Sequence, residues 1–219
     1  MKRALWLCAV TAVVLAPIVG SAQAPAKPAT TGRAGGKPAA SAPAGRRGGA
    51  AAAPARKLSP GAGPVIRWET AKGAFEMETY PNEAPKTVEH ILALVKRNFY
   101  NGHRVHRQVP GFVVQFGDPL SRDVSKKHLW GTGGSMYAIG VNEASPLHTH
   151  VAGAVATAHP GDPRQADSQM YIMLAPRHSL DGDFTVFGQI ISGMDVVQKL
   201  AVGDVIRRAT VIEPPAAPK

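Results

Sequence analysis

The sequence predicts a mainly β fold from Pro64 onward, an antiparallel barrel or sandwich carrying only two helices. Three observations predict it. Short apolar or β-rich runs recur at close spacing with turn residues between them; the first two alternate in polarity about a Lys-Gly turn; and helical periodicity occurs in two places only. No internal repeat is present.

Residues 65–70 and 74–80 alternate polar and apolar side chains around Lys72-Gly73, the pattern of a β-hairpin with one wet face. A helix follows: Pro85 suits its first position, Val88, Ile91, Leu92 and Val95 recur at i, i+3, i+4 and i+7, and Lys96-Arg97 close the last turn. After Asn101-Gly102 come strand candidates at 105–109, 112–116, 152–158, 170–174 and 186–191. A second short helix at 195–201 precedes a last strand at 204–212.

The first 63 residues read differently. Lys2-Arg3, the uncharged apolar residues 4–19 and the small residues 20–24 have the three-part layout of a secretory signal, here assigned to 1–24. The 16-residue apolar stretch is shorter than the roughly 20 residues that span a bilayer as a helix, which favours export over a retained anchor. Cleavage after Ser21, Ala22 or Ala24 fits the small residues there. Residues 25–63 are almost entirely Ala, Pro, Gly, Ser, Thr, Lys and Arg with a lone Leu58, too little apolar surface to repay ordering, so the segment is expected to be a disordered linker. The folded domain is assigned to 64–219.

Composition narrows the function. The chain has 219 residues, 44% apolar and 18% charged, enough to bury a core and too much for a wholly disordered protein. A single cysteine, Cys8, excludes an internal disulfide and leaves with the signal. The net charge of +10 is concentrated in the tail, because nine of the 25 Lys and Arg lie in the first 63 residues, which hold no acid. The rest is nearly neutral, so no nucleic-acid partner is expected. The seven cations of the linker read first as a solubilising spacer and second as a weak contact with an anionic envelope surface.

The residues that carry chemistry form blocks. Phe99-Tyr100-Asn101-Gly102, then 105–119 with Arg107, Phe112 and Gln115, resembles the signature of cyclophilin-type peptidyl-prolyl cis-trans isomerases. A second block with Ser168-Gln169-Met170-Tyr171-Ile172, Leu180-Asp181-Gly182 and Thr185-Val186-Phe187-Gly188 matches that family's other motif in order. Pro85-Lys86-Thr87, 153–158 and 193–197 fit as well, so the resemblance covers about 65–212.

The resemblance implies an eight-stranded antiparallel β-barrel closed by two α-helices, with a substrate groove on its outer face. It implies Arg107, Phe112 and Gln115 as catalytic residues, and Val113, Ala158, His159, Gln169, Tyr171, Leu180 and Phe184 as substrate-binding residues. It further implies an exported, periplasmic bacterial isomerase, a monomer, acting on proline-containing segments of folding proteins without cofactor or metal. Those residue types suit the reaction. The X-Pro amide turns over a barrier of roughly 18–20 kcal/mol because its C–N bond is partly double. A permanently charged guanidinium beside the prolyl carbonyl stabilises the twisted amide, while apolar side chains hold the pyrrolidine ring.

Several positions depart from the family pattern. Ser179 stands where many relatives have a tryptophan that binds the family's cyclic peptide inhibitor, Phe184 replaces a groove histidine, Tyr171 a phenylalanine, Val113 a methionine, His159 an asparagine or arginine, and Phe116 a glycine. These changes motivate an alternative, a cyclophilin fold that binds proline segments as a chaperone module with little turnover. Three weaker readings compete. His148 and His150 share one face if they lie on a strand, but two ligands without a third do not make a metal site. Ser168, a His and Asp181 suggest a hydrolase triad, yet no Gly-x-Ser-x-Gly elbow frames the serine. Gly131-Thr132-Gly133-Gly134-Ser135 lacks the Lys-Ser/Thr of a phosphate cradle.

Overall fold

In the computed structural model, which describes residues 63–212, the chain runs β1 (Val65–Thr70), β2 (Gly73–Thr79), α1 (Pro85–Lys96), β3 (Arg107–Val109), β4 (Val113–Phe116), β5 (Ala154–Thr157), β6 (Met170–Met173), β7 (Val186–Ser192), α2 (Met194–Lys199) and β8 (Ile206–Ile212). The signal-peptide reading of 1–24 and the linker reading up to residue 62 lie outside the described residues, as do 213–219. Among the described residues no helix is long and apolar enough to cross a membrane.

All eight strands join one antiparallel sheet in the order β3-β4-β6-β5-β7-β2-β1-β8. The sheet closes on itself just before β3. Arg104 bridges Val205, and the N–H groups of Gly102 and Val105 reach the carbonyls of Ile206 and Asp204 at 2.8 and 2.9 Å. The expected barrel is therefore present, and the predicted strand at 105–109 is shortened because Val105 serves this closure instead.

Strand alternation sorts apolar residues into two clusters. Ile66, Trp68, Phe75, Met77, Val114, Phe116, Val155, Met170, Ile172 and Phe187 fill the barrel, together with Val88, Ile91, Leu94 and Val95 of α1 and Val197 of α2. The helices thus close the barrel with one apolar face each. On the outer side, Val113, Ala154, Ala156, Tyr171, Met173 and Val186 form a second cluster. Every residue of β5 and β6 is buried because these strands are covered on both faces, which erases the usual polar alternation.

Both helices have local features with physical causes. The second helix spans Met194–Lys199 instead of 195–201; Leu200 leaves the helix with extended backbone and is buried in the core. The first helix has no side-chain cap of its own, Ala84 preceding Pro85. The Glu143 carboxylate, from the long β4–β5 connection, accepts the N–H groups of Lys86 and Thr87 at 3.0 and 2.9 Å and supplies the negative charge a helix start favours.

Candidate active site

One rung of the sheet builds the site. Arg107 on β3 lies directly opposite Gln115 on β4, Gln115 opposite Tyr171 on β6, and Tyr171 opposite Ala156 on β5. Residues opposed across an antiparallel pair share a face, so this register puts the guanidinium, the amide and the phenol side by side on the outer surface. The β3–β4 turn adds Phe112. Pro110 and Gly111 take its central positions, Gly111 has φ +67°, and the N–H of Phe112 returns to the carbonyl of Val109 at 3.0 Å.

These residues line an open cavity of about 290 Å³ together with Val113, Ala158, His159, Leu180 and Phe184. Nine of the ten residues the sequence singles out therefore converge. The tenth, Gln169, lines a neighbouring cavity of about 510 Å³ with Gly131, Gly133, Gln165 and Asp167, and the two cavities share Gln115, Ala158 and His159. The walls of the first are largely apolar and its mouth carries charge. The guanidinium of Arg107 stands 5.7 Å from the centre of the Phe112 ring, and that of Arg177 stands 5.1 Å from the same ring.

A directed chain of hydrogen bonds holds Arg107. The side-chain nitrogen of Gln169 donates to the carbonyls of Gly131 and Gly133 at 2.9 and 2.8 Å. Carbonyls only accept, so the Gln169 oxygen is left to face Gln115, whose own nitrogen donates to it at 3.1 Å. The Gln115 oxygen then turns to Arg107 and accepts from Nη1 at 3.3 Å. The glycine loop, which sequence motifs left as a mere loop, is the anchor of this chain.

His159 forms the wall between the two cavities. Its Nδ1 accepts the N–H of Gly161 at 3.2 Å, so Nε2 carries the proton donated to the Asp183 carbonyl at 3.0 Å. Its ring stacks on Phe184 at 4.3 Å. The N–H of Ala158 is committed to the Gln169 carbonyl at 2.9 Å, so that residue offers the groove its carbonyl and methyl rather than a donor.

The competing constellations are not assembled. Ser168 is buried and donates to the Gly117 carbonyl at 2.9 Å, while Asp181 pairs with His150. His148 stacks on Tyr80 at 3.8 Å instead of joining His150, and both lie in a loop rather than on a strand. Among the described residues no group of three His, Cys, Asp or Glu is placed to hold a metal. Burial lowers the pKa of His103 to about 3, with the charges of Arg122 and His106 acting the same way.

The model of the family described as cyclophilin type peptidyl-prolyl cis-trans isomerase/CLD matches residues 65–216. The chain belongs to the cyclophilin family. It is 39% identical to peptidyl-prolyl cis-trans isomerase B of Bacillus subtilis over 136 residues, which is 62% of this chain and 89% of that relative. Among solved structures, a cyclophilin-type isomerase of Cryptosporidium parvum superposes with a TM-score of 0.61 at 23% identity, covering 69% of this chain and 99% of the other. A second structure of that protein, obtained in the presence of the dipeptide Ala-Pro, gives a TM-score of 0.60 at 21% identity over 68% and 99% of the two chains. The cyclophilin barrel and the groove on its outer sheet are thus the frame in which this chain's own substitutions act.

Proposed function

We propose that this cyclophilin accelerates cis–trans rotation about X-Pro amides in proteins that fold after export, with Arg107 as the group that acts on the amide. The observation that carries the reading is an exposed guanidinium held by Gln115 at the mouth of an apolar cavity the size of a side chain or two. Phe112, Val113, Tyr171, Leu180 and Phe184 receive the pyrrolidine ring, and Arg107 donates to the carbonyl of the proline. Rotation pyramidalises the prolyl nitrogen and localises its lone pair, and a fixed positive charge favours that state over the planar amide. No bond is broken and no proton changes owner, so the reaction calls for no nucleophile. Gln115, Ala158 and Gln169 flank the reacting bond and position the neighbouring peptide.

Export and a periplasmic location rest on the three-part pattern at 1–24, and the reading is consistent with a chain whose one cysteine falls inside that segment. Residues 25–63 then read as a basic linker ahead of the folded domain, first of all a solubilising spacer. Slow prolyl steps of about 10–100 s at 25 °C in newly exported proteins are the work such an enzyme would shorten.

The test is the cis-to-trans relaxation rate of a short Ala-Pro-Phe peptide with the full chain. A rate that rises with protein concentration is the expected result. A folded protein that binds the peptide without changing the rate would make the groove a recognition surface. Cell fractionation with N-terminal sequencing tests export, and an intact N-terminus in the cytoplasmic fraction would refute it.

A further inference from the structure

Tyr171 lines the proline cavity, but its hydroxyl is engaged behind it. His150 is fully buried, and Asp181 Oδ1 accepts both its backbone N–H at 2.8 Å and its ring Nδ1–H at 2.7 Å. A carboxylate only accepts, so Nδ1 carries a proton toward Asp181, and in that tautomer Nε2 faces Tyr171. That nitrogen lies 3.0 Å from the Tyr171 hydroxyl, in hydrogen-bond contact with it. The other Asp181 oxygen takes Nδ1–H of the exposed His178 at 2.9 Å, which fixes the carboxylate from its far side.

His150, Tyr171 and Phe184 pack as a unit. His150 and Tyr171 lie 6.0 Å apart and nearly parallel, and Phe184 meets both edge-on at 6.4 and 5.8 Å. Tyr171 and Phe184 are walls of the cavity, whereas His150 does not reach it. We propose that Asp181 and His150 form a clamp on the Tyr171 hydroxyl that sets the floor of the proline cavity, which makes His150 a positioning residue for prolyl binding. This rests on the isomerase site described above. A buried imidazole placed behind a wall residue has no packing advantage over an aliphatic side chain; what it adds is a directional hydrogen bond. The clamp also explains how a tyrosine fits where a phenylalanine is the family's usual choice: the chain supplies its hydroxyl with a partner outside the apolar cavity.

The experiment measures peptide affinity by calorimetry and, separately, KM and kcat for the Ala-Pro-Phe peptide, using the full chain and its Tyr171→Phe, His150→Val and doubly substituted forms. Each single change leaves a buried partner unmatched and is expected to weaken binding and raise KM about fivefold, the effect of one hydrogen bond. The floor grips the ring alike in ground and transition states, so kcat stays near wild type. The double change removes both partners and is expected to weaken binding no further than the worse single change. Unaltered affinity in Tyr171→Phe overturns the clamp, as does a double variant whose loss equals the product of the two single losses. If His150→Val does not fold, Tyr171→Phe, which keeps the ring, decides the matter alone. A wild type that binds the peptide without turnover refutes the isomerase reading and leaves the clamp to be judged on affinity.

Discussion

Arg107 and Gln115 face each other across the β3–β4 pair, and the guanidinium donates to the Gln115 amide oxygen at 3.3 Å. That oxygen points toward Arg107 because the amide nitrogen is claimed by Gln169, whose own nitrogen is claimed by two glycine carbonyls. Orientation of the charged group thus originates in a backbone loop that lines the neighbouring cavity.

Arg107→Ala is expected to lower kcat/KM for an Ala-Pro-Phe peptide about 100-fold, the loss seen when one preorganised donor is removed. Arg107 is exposed, so stability should stay within about 0.5 kcal/mol of wild type. Arg107→Lys keeps the charge but not the planar fork and should recover only part of the rate. Relaxation kinetics and denaturant unfolding on the same samples check this, and equal loss of both quantities would show the residue to be structural.

Gln169→Leu cuts the chain at its anchor. The amide of Gln115 is then free to turn, and kcat/KM should fall about tenfold, the equivalent of one hydrogen bond involving a charged partner. A Gln115→Ala/Gln169→Leu pair should show less than additive losses, because both act through Arg107. Additive losses would separate the two residues.

Acid should destabilise the protein above the carboxylate range. His103 is buried against Phe99 and Tyr100 with its pKa lowered to about 3. Below pH 6.5 the unfolded chain takes up a proton that the folded chain refuses, so stability held above pH 6.5 is lost as pH falls toward 3. The slope is about 1.4 kcal/mol per pH unit in that window. Urea unfolding between pH 7 and 4.5 reads it, and His103→Phe should flatten the curve.

Glycines with the same sign of φ should differ in cost. At Gly117, with φ +108°, a Cβ would overlap the Ser168 carbonyl oxygen and stand 2.9 Å from Gln169 Cα, where β4 leads away beside the β6 segment. Gly111, with φ +67°, meets nothing within 4 Å. Gly117→Ala is expected to cost about 3 kcal/mol and Gly111→Ala about 1 kcal/mol. Equal costs by chemical denaturation would contradict the close approach.

Much of the barrel is legible in the residues themselves. The hairpin 65–80 and the helix begun by Pro85 show their periods because one face of each is wet. β5 and β6 show only short apolar runs, since both faces are covered and nothing polar marks the period. Arg107, Phe112 and Gln115 can be read from one contiguous block because a short hairpin joins them, and local sequence determines a three-residue connection.

By itself, then, the sequence determined the strands, the two helices and the residues that line the cavity beside Arg107, all of which depend on interactions between near neighbours or on blocks kept in order along the chain. Tertiary structure alone decided which distant groups would meet: Glu143 on the start of α1 across 57 residues, Gln169 on the 131–133 loop across 36 and 38, and Asp181 with His150 behind Tyr171 across 31. Read from the sequence, His150 suggested a metal pair with His148, and Asp181 a hydrolase triad. The physical reason is that these side chains meet their partners wherever the barrel brings them, and closure of the sheet, not spacing along the chain, sets that place.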